Sequence, residues 1–299
     1  MISYQETPIV EIHDPLIERS GVRLLIKRED MNHPFVSGNK WWKLKYNLEE
    51  ALRLGHKTLL TFGGAYSNHI YATSAAAHEL GLKSIGVIRG EESKVLNRTL
   101  AFVKGKGMRL HYVSREDYRK KSESLFVEAL RERFGDFYLL PEGGTNSLAI
   151  QGCSEFAKVF LAPISFDYLC LPVGTGGTMA GIVKGLEDRR RVIGFSSLKV
   201  GSFLHTEVRN LLGTESNIRL DNWQIETDYH FGGYGKNTPA LMEFISSAWK
   251  QHHLPLDPVY TAKMMFGIYD MIARGRIESS STVLMLHTGG LQGNGSLSK

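Results

Sequence analysis

From residue 58 to residue 286 the chain alternates short apolar runs with segments of helical period, and this alternation is what most limits the folds open to it. Apolar runs of strand length fall at 58–62, 84–88, 109–113, 137–140, 168–173, 191–195 and 282–286. Between them, helical spacing of apolar residues predicts helices near 67–80, 94–105, 116–134, 148–160, 178–186, 203–212, 239–252 and 262–273. Strands joined through helices form parallel sheets covered on both faces, so an α/β fold follows. Upstream, an irregular start leads into a strand at 24–30 that runs into charged residues, and then a helix from Lys40 to about Leu52. At 299 residues the chain is long enough for two domains or subdomains.

The net charge of +5 is mild and comes without a basic tail. Arg119-Lys120-Lys121 sits in an amphipathic helix pattern, and Arg189-Arg190-Arg191 reads as a helix end followed by a strand. Both are expected to be solvated faces, which argues against a nucleic-acid partner. Cys153 and Cys170 offer neither a disulfide framework nor metal-ligand spacing and are expected to be buried thiols. The N-terminus lacks the basic and apolar regions of a signal peptide, and no apolar run approaches membrane-spanning length. A cytoplasmic protein with no membrane partner is the expectation.

Ser37-Gly38-Asn39-Lys40-Trp41-Trp42-Lys43 carries the strongest chemical signal. A Ser-Gly-Asn opening before an apolar-periodic run starts a helix, so Lys40 lies in its first turn. There the positive end of the helix dipole and the two tryptophans disfavour an ammonium, which lowers the lysine's pKa. A partly neutral lysine is a nucleophile able to form an imine with an aldehyde. The plain alternative is a helix-surface lysine beside core tryptophans.

Three glycine-rich junctions follow strands, where α/β sheets place their ligands. Gly174-Thr175-Gly176-Gly177-Thr178 opens a helix, and its backbone N–H groups suit a phosphate or simply a tight turn. It is neither a P-loop nor the dinucleotide fingerprint. In Phe62-Gly63-Gly64-Ala65-Tyr66-Ser67-Asn68-His69, Ser67 is either a plain helix cap or a hydroxyl and N–H donor to a substrate carboxylate. Asn68 would then hydrogen-bond a cofactor. The junction Glu142-Gly143-Gly144-Thr145-Asn146 is expected only to set backbone geometry. A lysine suited to imine chemistry together with a phosphate loop points to pyridoxal 5′-phosphate.

Lys27-Arg28-Glu29-Asp30, Ser37-Gly38-Asn39-Lys40 with Lys43, and Gly63-Gly64-Ala65-Tyr66-Ser67-Asn68-His69 resemble the tryptophan-synthase-β-like (fold type II) pyridoxal-phosphate enzymes. Asp257-Pro258-Val259-Tyr260-Thr261-Ala262-Lys263 and His287-Thr288-Gly289-Gly290 resemble the branch of D-cysteine desulfhydrase and 1-aminocyclopropane-1-carboxylate (ACC) deaminase. The likeness spans residues 24 to 291, with the motifs in order. It implies two three-layer α/β/α lobes with mostly parallel sheets and the cofactor in the cleft between them. The small lobe would be 41–148, and the large lobe 1–40 together with 149–299.

The resemblance further implies that Lys40 carries the cofactor imine, Lys43 assists, Asn68 bonds the phenolic oxygen, Gly174 to Thr178 hold the phosphate, and Thr288 lies near the pyridine nitrogen. Ser67, Asn68, His69 and Tyr260 would contact the substrate, Ser67 through its carboxylate or in proton transfer, and Tyr234 and Tyr260 match the branch's two active-site tyrosines, so that Lys40, Ser67, Tyr234 and Tyr260 would be the catalytic set. A homodimer is also implied. The chain departs from the family at Tyr71-Ala72-Thr73, where Arg or Gln is usual, and in its short polar tail after Gly290. The segment before Tyr234, Phe231-Gly232-Gly233, also matches the branch less closely.

ACC deaminases typically carry Glu where this chain has Thr261 and Leu where it has Thr288. A carboxylate near the pyridine nitrogen strengthens the electron sink that opening a ring without an α-hydrogen demands. Neutral threonines favour D-cysteine β-elimination, giving pyruvate, ammonia and sulfide, with the freed Lys40 amine as base at Cα. ACC deamination, deamination or racemisation of another small D-amino acid, and a cofactor-binding protein with little catalysis are the alternatives.

Overall fold

The computed structural model describes residues 2–187, 190–213 and 221–294. Its strands are β1 (Ile9–Ile12), β2 (Arg23–Lys27), β3 (Thr58–Gly63), β4 (Lys83–Arg89), β5 (Arg109–Val113), β6 (Tyr138–Leu140), β7 (Tyr168–Val173), β8 (Arg191–Ser196), β9 (Trp223–Glu226) and β10 (Thr282–Leu286). Its helices are α1 (Pro15–Ser20), α2 (Asn39–Arg53), α3 (Asn68–Glu79), α4 (Arg98–Gly105), α5 (Arg115–Arg119), α6 (Ser124–Phe134), α7 (Ser147–Phe156), α8 (Gly177–Leu186), α9 (Phe203–Leu212), α10 (Pro239–His252) and α11 (Thr261–Ala273).

The strands form two sheets, one of order β1-β2-β10-β7-β8-β9 and one of order β5-β4-β3-β6. All pairings are parallel except β1 with β2, so the α/β expectation holds. Near-continuous burial along β3, β4, β7 and β10 is what a sheet covered on both faces requires. One apolar cluster takes Leu25, Leu171 and Leu284 from the first sheet, Leu59 and Leu140 from the second, and Leu44 and Leu48 from α2. Helix α2 therefore shares its core with both sheets, and its N-terminus lies among the loops that leave their carboxyl ends.

Close helix packing depends on small residues. A Cβ at Gly152 of α7 would lie 2.1 Å from the Trp42 carbonyl oxygen of α2, and one at Gly181 of α8 would lie 2.7 Å from the Ile150 carbonyl oxygen. Both are backbone contacts, which no side-chain rotation relieves.

Several elements depart from the sequence expectation. β1 and α1 occupy the stretch expected to be irregular, and β9 adds an edge strand with no forecast at all. α4 starts at Arg98 instead of 94, because Asn97 Oδ1 accepts from Leu100 N at 2.9 Å and fixes the helix start. The helix expected over 116–134 breaks in two. Tyr118 turns inward and donates its hydroxyl to Glu142 Oε1 at 2.8 Å, while α6 buries Leu130; the two lie about a third of a turn out of phase. Arg119 to Lys121 thus sit at the break, where Lys121 pairs with Glu142. The helix expected through 160 widens into a π turn over Ala157–Leu161. Arg189 lies outside the described residues, and Arg191 begins β8. Cys153 and Cys170 are buried free thiols, as expected.

Gly152→Val, which drives a branched side chain into the α2 backbone, is expected to cost about 3 kcal/mol or more in urea unfolding. Gly105→Ala in α4 meets no heavy atom within 4 Å and is expected to be neutral or to stabilise by up to about 1 kcal/mol.

Candidate active site

The site begins with a buried carboxylate. Glu29, 1% exposed, accepts from Tyr4 Oη at 3.2 Å, Thr7 Oγ1 at 2.5 Å, Asn32 Nδ2 at 2.9 Å and Trp42 Nε1 at 2.8 Å. The Glu29 carbonyl and Asn32 Oδ1 both accept from Gly38 N at 2.9 Å. Gly38 caps α2 at φ 68°, and a Cβ there would come within 1.9 Å of the Thr288 carbonyl oxygen. Only glycine fits this backbone, so the start of α2 is clamped between the loops after β2 and β10.

That clamp sets Lys40 in the first turn of α2. Lys40 keeps part of its surface open, yet the protein around its amine lowers its pKa by desolvation to about 8, opposed by the charges of Cys153 and Asp257. The direction is the one expected, and the largest cause is desolvation. Trp42 lies roughly half a turn around α2 from Lys40, and both tryptophans pack with Tyr4 in the core.

Lys43, one turn on, is 2% exposed. Desolvation, then the nearby Lys40 charge, lowers its pKa to about 7. Its Nζ donates to Thr145 Oγ1 at 2.8 Å and reaches Thr175 Oγ1 at 3.5 Å, and the two threonine hydroxyls are 2.7 Å apart. Thr145 comes from the junction expected only to shape backbone, so that expectation is corrected. The loops interlock: a Cβ at Gly143 would meet Thr175 Cγ2 at 2.8 Å, and one at Gly177 would meet Thr145 Cγ2 at 2.7 Å. Gly174 to Gly176 lead into α8, capped by Gly176 at φ 77°, and Thr178 in its first turn accepts from Asn39 Nδ2 at 2.7 Å. Unpaired first-turn N–H groups, two hydroxyls and an ammonium together form a cradle for an anion.

The loop after β3 supplies Ser67, Asn68 and His69. Ser67 caps α3, its Oγ accepting from Ile70 N at 3.2 Å. Its own N–H donates to Gly64 O at 3.0 Å, so the expectation of a Ser67 N–H donor is corrected; the hydroxyl proton is what remains. Asn68 Oδ1 accepts from Gln292 Nε2, and Asn68 Nδ2 lies against Gly290, where a Cβ would come within 2.6 Å. His69 is 2% exposed, and desolvation, then the charges of Lys43 and Lys40, hold it neutral. Thr61 Oγ1 donates its one proton to Leu140 O at 3.0 Å and so accepts from His69 Nε2 at 2.8 Å. That fixes the tautomer and leaves His69 Nδ1 a buried acceptor without a partner.

Across the cleft, Tyr260 and Tyr234 meet edge-to-face with centroids 6.0 Å apart. A Cβ at Gly174 would lie 3.3 Å from Tyr260 Oη, which brings this phenol to the anion cradle. Burial, then the neighbouring Tyr234, keeps Tyr260 protonated far above the ordinary phenol range. Asp257, 2% exposed, is missing from the sequence expectation. Its oxygens accept from the N–H groups of Val259, Tyr260 and Thr261 and from Thr261 Oγ1, at 2.8 to 3.0 Å. Thr261 Oγ1 also accepts from Asp257 N at 2.9 Å, so this hydroxyl belongs to the start of α11. Thr288 is buried, with its carbonyl against Gly38. Thr145 escaped the sequence reading because its partner Lys43 is brought to it by the fold, whereas the partners of Asp257 lie within four residues of it. The Asp-x-x-x-Thr spacing at 257 and 261 was the only local signal.

A family of pyridoxal-phosphate-dependent enzymes matches residues 2–289. A Thermotoga maritima protein named putative 1-aminocyclopropane-1-carboxylate deaminase is 34% identical over 305 residues, covering 98% of this chain and 96% of the relative. An Arabidopsis thaliana mitochondrial protein named bifunctional D-cysteine desulfhydrase/1-aminocyclopropane-1-carboxylate deaminase is 29% identical over 313 residues, covering 98% and 78%. The crystal structure of an ACC deaminase homologue superimposes with a TM-score of 0.83 at 29% identity, over 97% of this chain and 91% of that one. The geometry fits the shared cofactor, which needs a reactive lysine amine and a phosphate cradle. Here an amine with a pKa of about 8 lies on the same helix as Lys43, which reaches Thr145 and Thr175 beside α8, and His69, which carries an orphaned buried acceptor, feels the charges of the same two lysines. The chain belongs to the pyridoxal-phosphate-dependent enzymes.

Proposed function

We propose that the chain is a D-cysteine desulfhydrase-like lyase that converts D-cysteine to pyruvate, ammonia and sulfide by β-elimination. The observation that carries this reading is the state of residue 261. Thr261 gives its only hydroxyl proton to Asp257 Oδ1 at 2.8 Å, so this position offers the cofactor neither a charge nor a free donor. An acidic side chain there would keep the cofactor's ring nitrogen protonated and deepen its electron sink, as ring opening without an α-proton demands. A substrate with an α-proton and a thiolate leaving group needs less. The second reading, ACC deamination, is supported by the name of the 34%-identical Thermotoga maritima relative.

Pyridoxal 5′-phosphate, when bound, supplies the sink for the electron pair left at Cα. The protein supplies the rest. Lys43, Thr145, Thr175 and the first turn of α8 would hold the phosphate, and Asn68 Nδ2 would be the side-chain donor for the phenolic oxygen. The substrate carboxylate lies at the N-terminus of α3, where the Ser67 hydroxyl, free to donate, joins the unpaired N–H groups of Asn68 and His69. Lys40 Nζ, with its pKa of about 8, is neutral often enough near pH 7 to take the proton from Cα. Tyr260, kept protonated, and Tyr234 at the cleft mouth donate to the departing sulfur.

Sulfide and pyruvate are expected from D-cysteine with little turnover of ACC when kcat/KM is measured for both side by side. Faster turnover of ACC would transfer the assignment to the second reading. Lys40→Ala is expected to lose both turnover and the visible absorption gained on cofactor binding.

The rate at which the cofactor-free protein recovers that absorption is expected to rise with pH, with a midpoint near 8, as Lys40 sheds its proton. Lys43→Met is expected to weaken cofactor affinity by about tenfold to a hundredfold, as loss of one charge-assisted contact implies, leaving the absorption maximum unchanged at saturation. A pH-independent recovery rate would contradict the assignment of Lys40.

A further inference from the structure

Lys263 plays no part in the site described above, yet it is 1% exposed, and burial lowers its pKa to about 8. It projects from the first turn of α11, three residues beyond Tyr260. Its Nζ donates to two backbone carbonyls of one loop, His230 O and Gly233 O, each at 2.8 Å.

That loop has few other means of holding its shape. It belongs to no sheet or helix, and its φ angles are positive at Phe231 (50°), Gly232 (90°), Gly233 (111°) and Gly235 (67°). Its internal bonds are short-range turns: Gly232 N to His230 Nδ1 at 2.9 Å, Gly233 N to His230 O at 3.0 Å and Lys236 N to Gly233 O at 3.1 Å. Phe231 packs edge-on against Phe266 of α11, with centroids 5.0 Å apart. Two of the loop's carbonyls are thus turned inward onto one ammonium, and the next residue is Tyr234.

We propose that Lys263 is a positioning residue that ties the 230–235 loop to α11, so that Tyr234 stands against Tyr260 at the cleft. α11 then controls both tyrosines, Tyr260 at its N-terminus and Tyr234 through Lys263. An ammonium suits the task because it has three protons for two convergent carbonyls. A methionine of similar length would leave each carbonyl only its own turn N–H, from Gly233 and Lys236, and remove the bond to α11, which frees the loop to tilt.

The inference rests on the proposed role of Tyr234, and a double-mutant cycle separates the two. In the cofactor-loaded enzyme, Lys263→Met and Tyr234→Phe are each expected to lower kcat/KM about tenfold without changing the visible absorption or the cofactor affinity. The double variant is expected to be no more than about twofold worse than Tyr234→Phe alone. Gly232→Ala strains the same loop from its exposed side and is expected to behave like Lys263→Met, which keeps the test open should the core variant fold poorly. If Tyr234→Phe lowers kcat/KM but the losses multiply, the tie between Lys263 and Tyr234 is overturned. If Tyr234→Phe alone leaves kcat/KM unchanged, the proposed role of Tyr234 falls, and the inference with it.

Discussion

The clamp at Gly38 is the constraint on which the rest of the site depends. Its N–H is held by both Glu29 O and Asn32 Oδ1, and the Thr288 carbonyl leaves no room for a Cβ. A buried carboxylate is costly unless its lone pairs are satisfied, and Glu29 meets that condition with four donors drawn from the N-terminal segment, the loop and α2. The network fixes both the origin of α2 and, through Trp42, its rotation. Lys40 and Lys43 then point where the loops after β3, β6 and β7 converge.

Two lysines one turn apart in a desolvated place repel each other, and this is how the site divides its labour. Desolvation lowers both, and the Lys40 charge lowers Lys43 further. Without an anion Lys43 is the more readily neutral of the two; an anion beside Thr145 and Thr175 would reverse that order, so that Lys43 would hold its proton and Lys40 would become the more readily neutral amine. Binding of the phosphate thus favours an anchor and a nucleophile from two residues of the same type. His69, held neutral by desolvation and then by the same two charges, adds an acceptor and no third cation.

Much of this was legible in the sequence because α/β elements and strand–loop–helix junctions leave local marks. β3 to β8 and β10 announced themselves as apolar runs between helical periods. β1 did not, since Ile9 and Val10 are exposed on an edge strand that carries no alternating pattern, and β9 is equally short. The two glycine junctions at 63–69 and 174–178 carry a ligand-loop signal beside the plainer readings of a cap and a tight turn, whereas the junction at 142–146 reads locally as backbone alone. Thr145 gains its importance only when Lys43 arrives across a separation of 102 residues. Lys263 was hidden for the same reason, as its partners His230 O and Gly233 O are brought to it by the fold, whereas Asp257 caps residues within four positions of itself. The lowered pKa of Lys40 is legible in the sequence, because a lysine in the first turn of a helix with apolar neighbours is desolvated.

The central claim is that the clamp at Gly38 makes Lys40, and not Lys43 or Lys263, the lysine that bonds the cofactor. All three amines have lowered pKa values, so the claim is a contest among real candidates. Borohydride reduction of the loaded enzyme, followed by peptide mass mapping, tests it directly. The account predicts a single cofactor adduct on Lys40, and an adduct on Lys43 or Lys263 would contradict it.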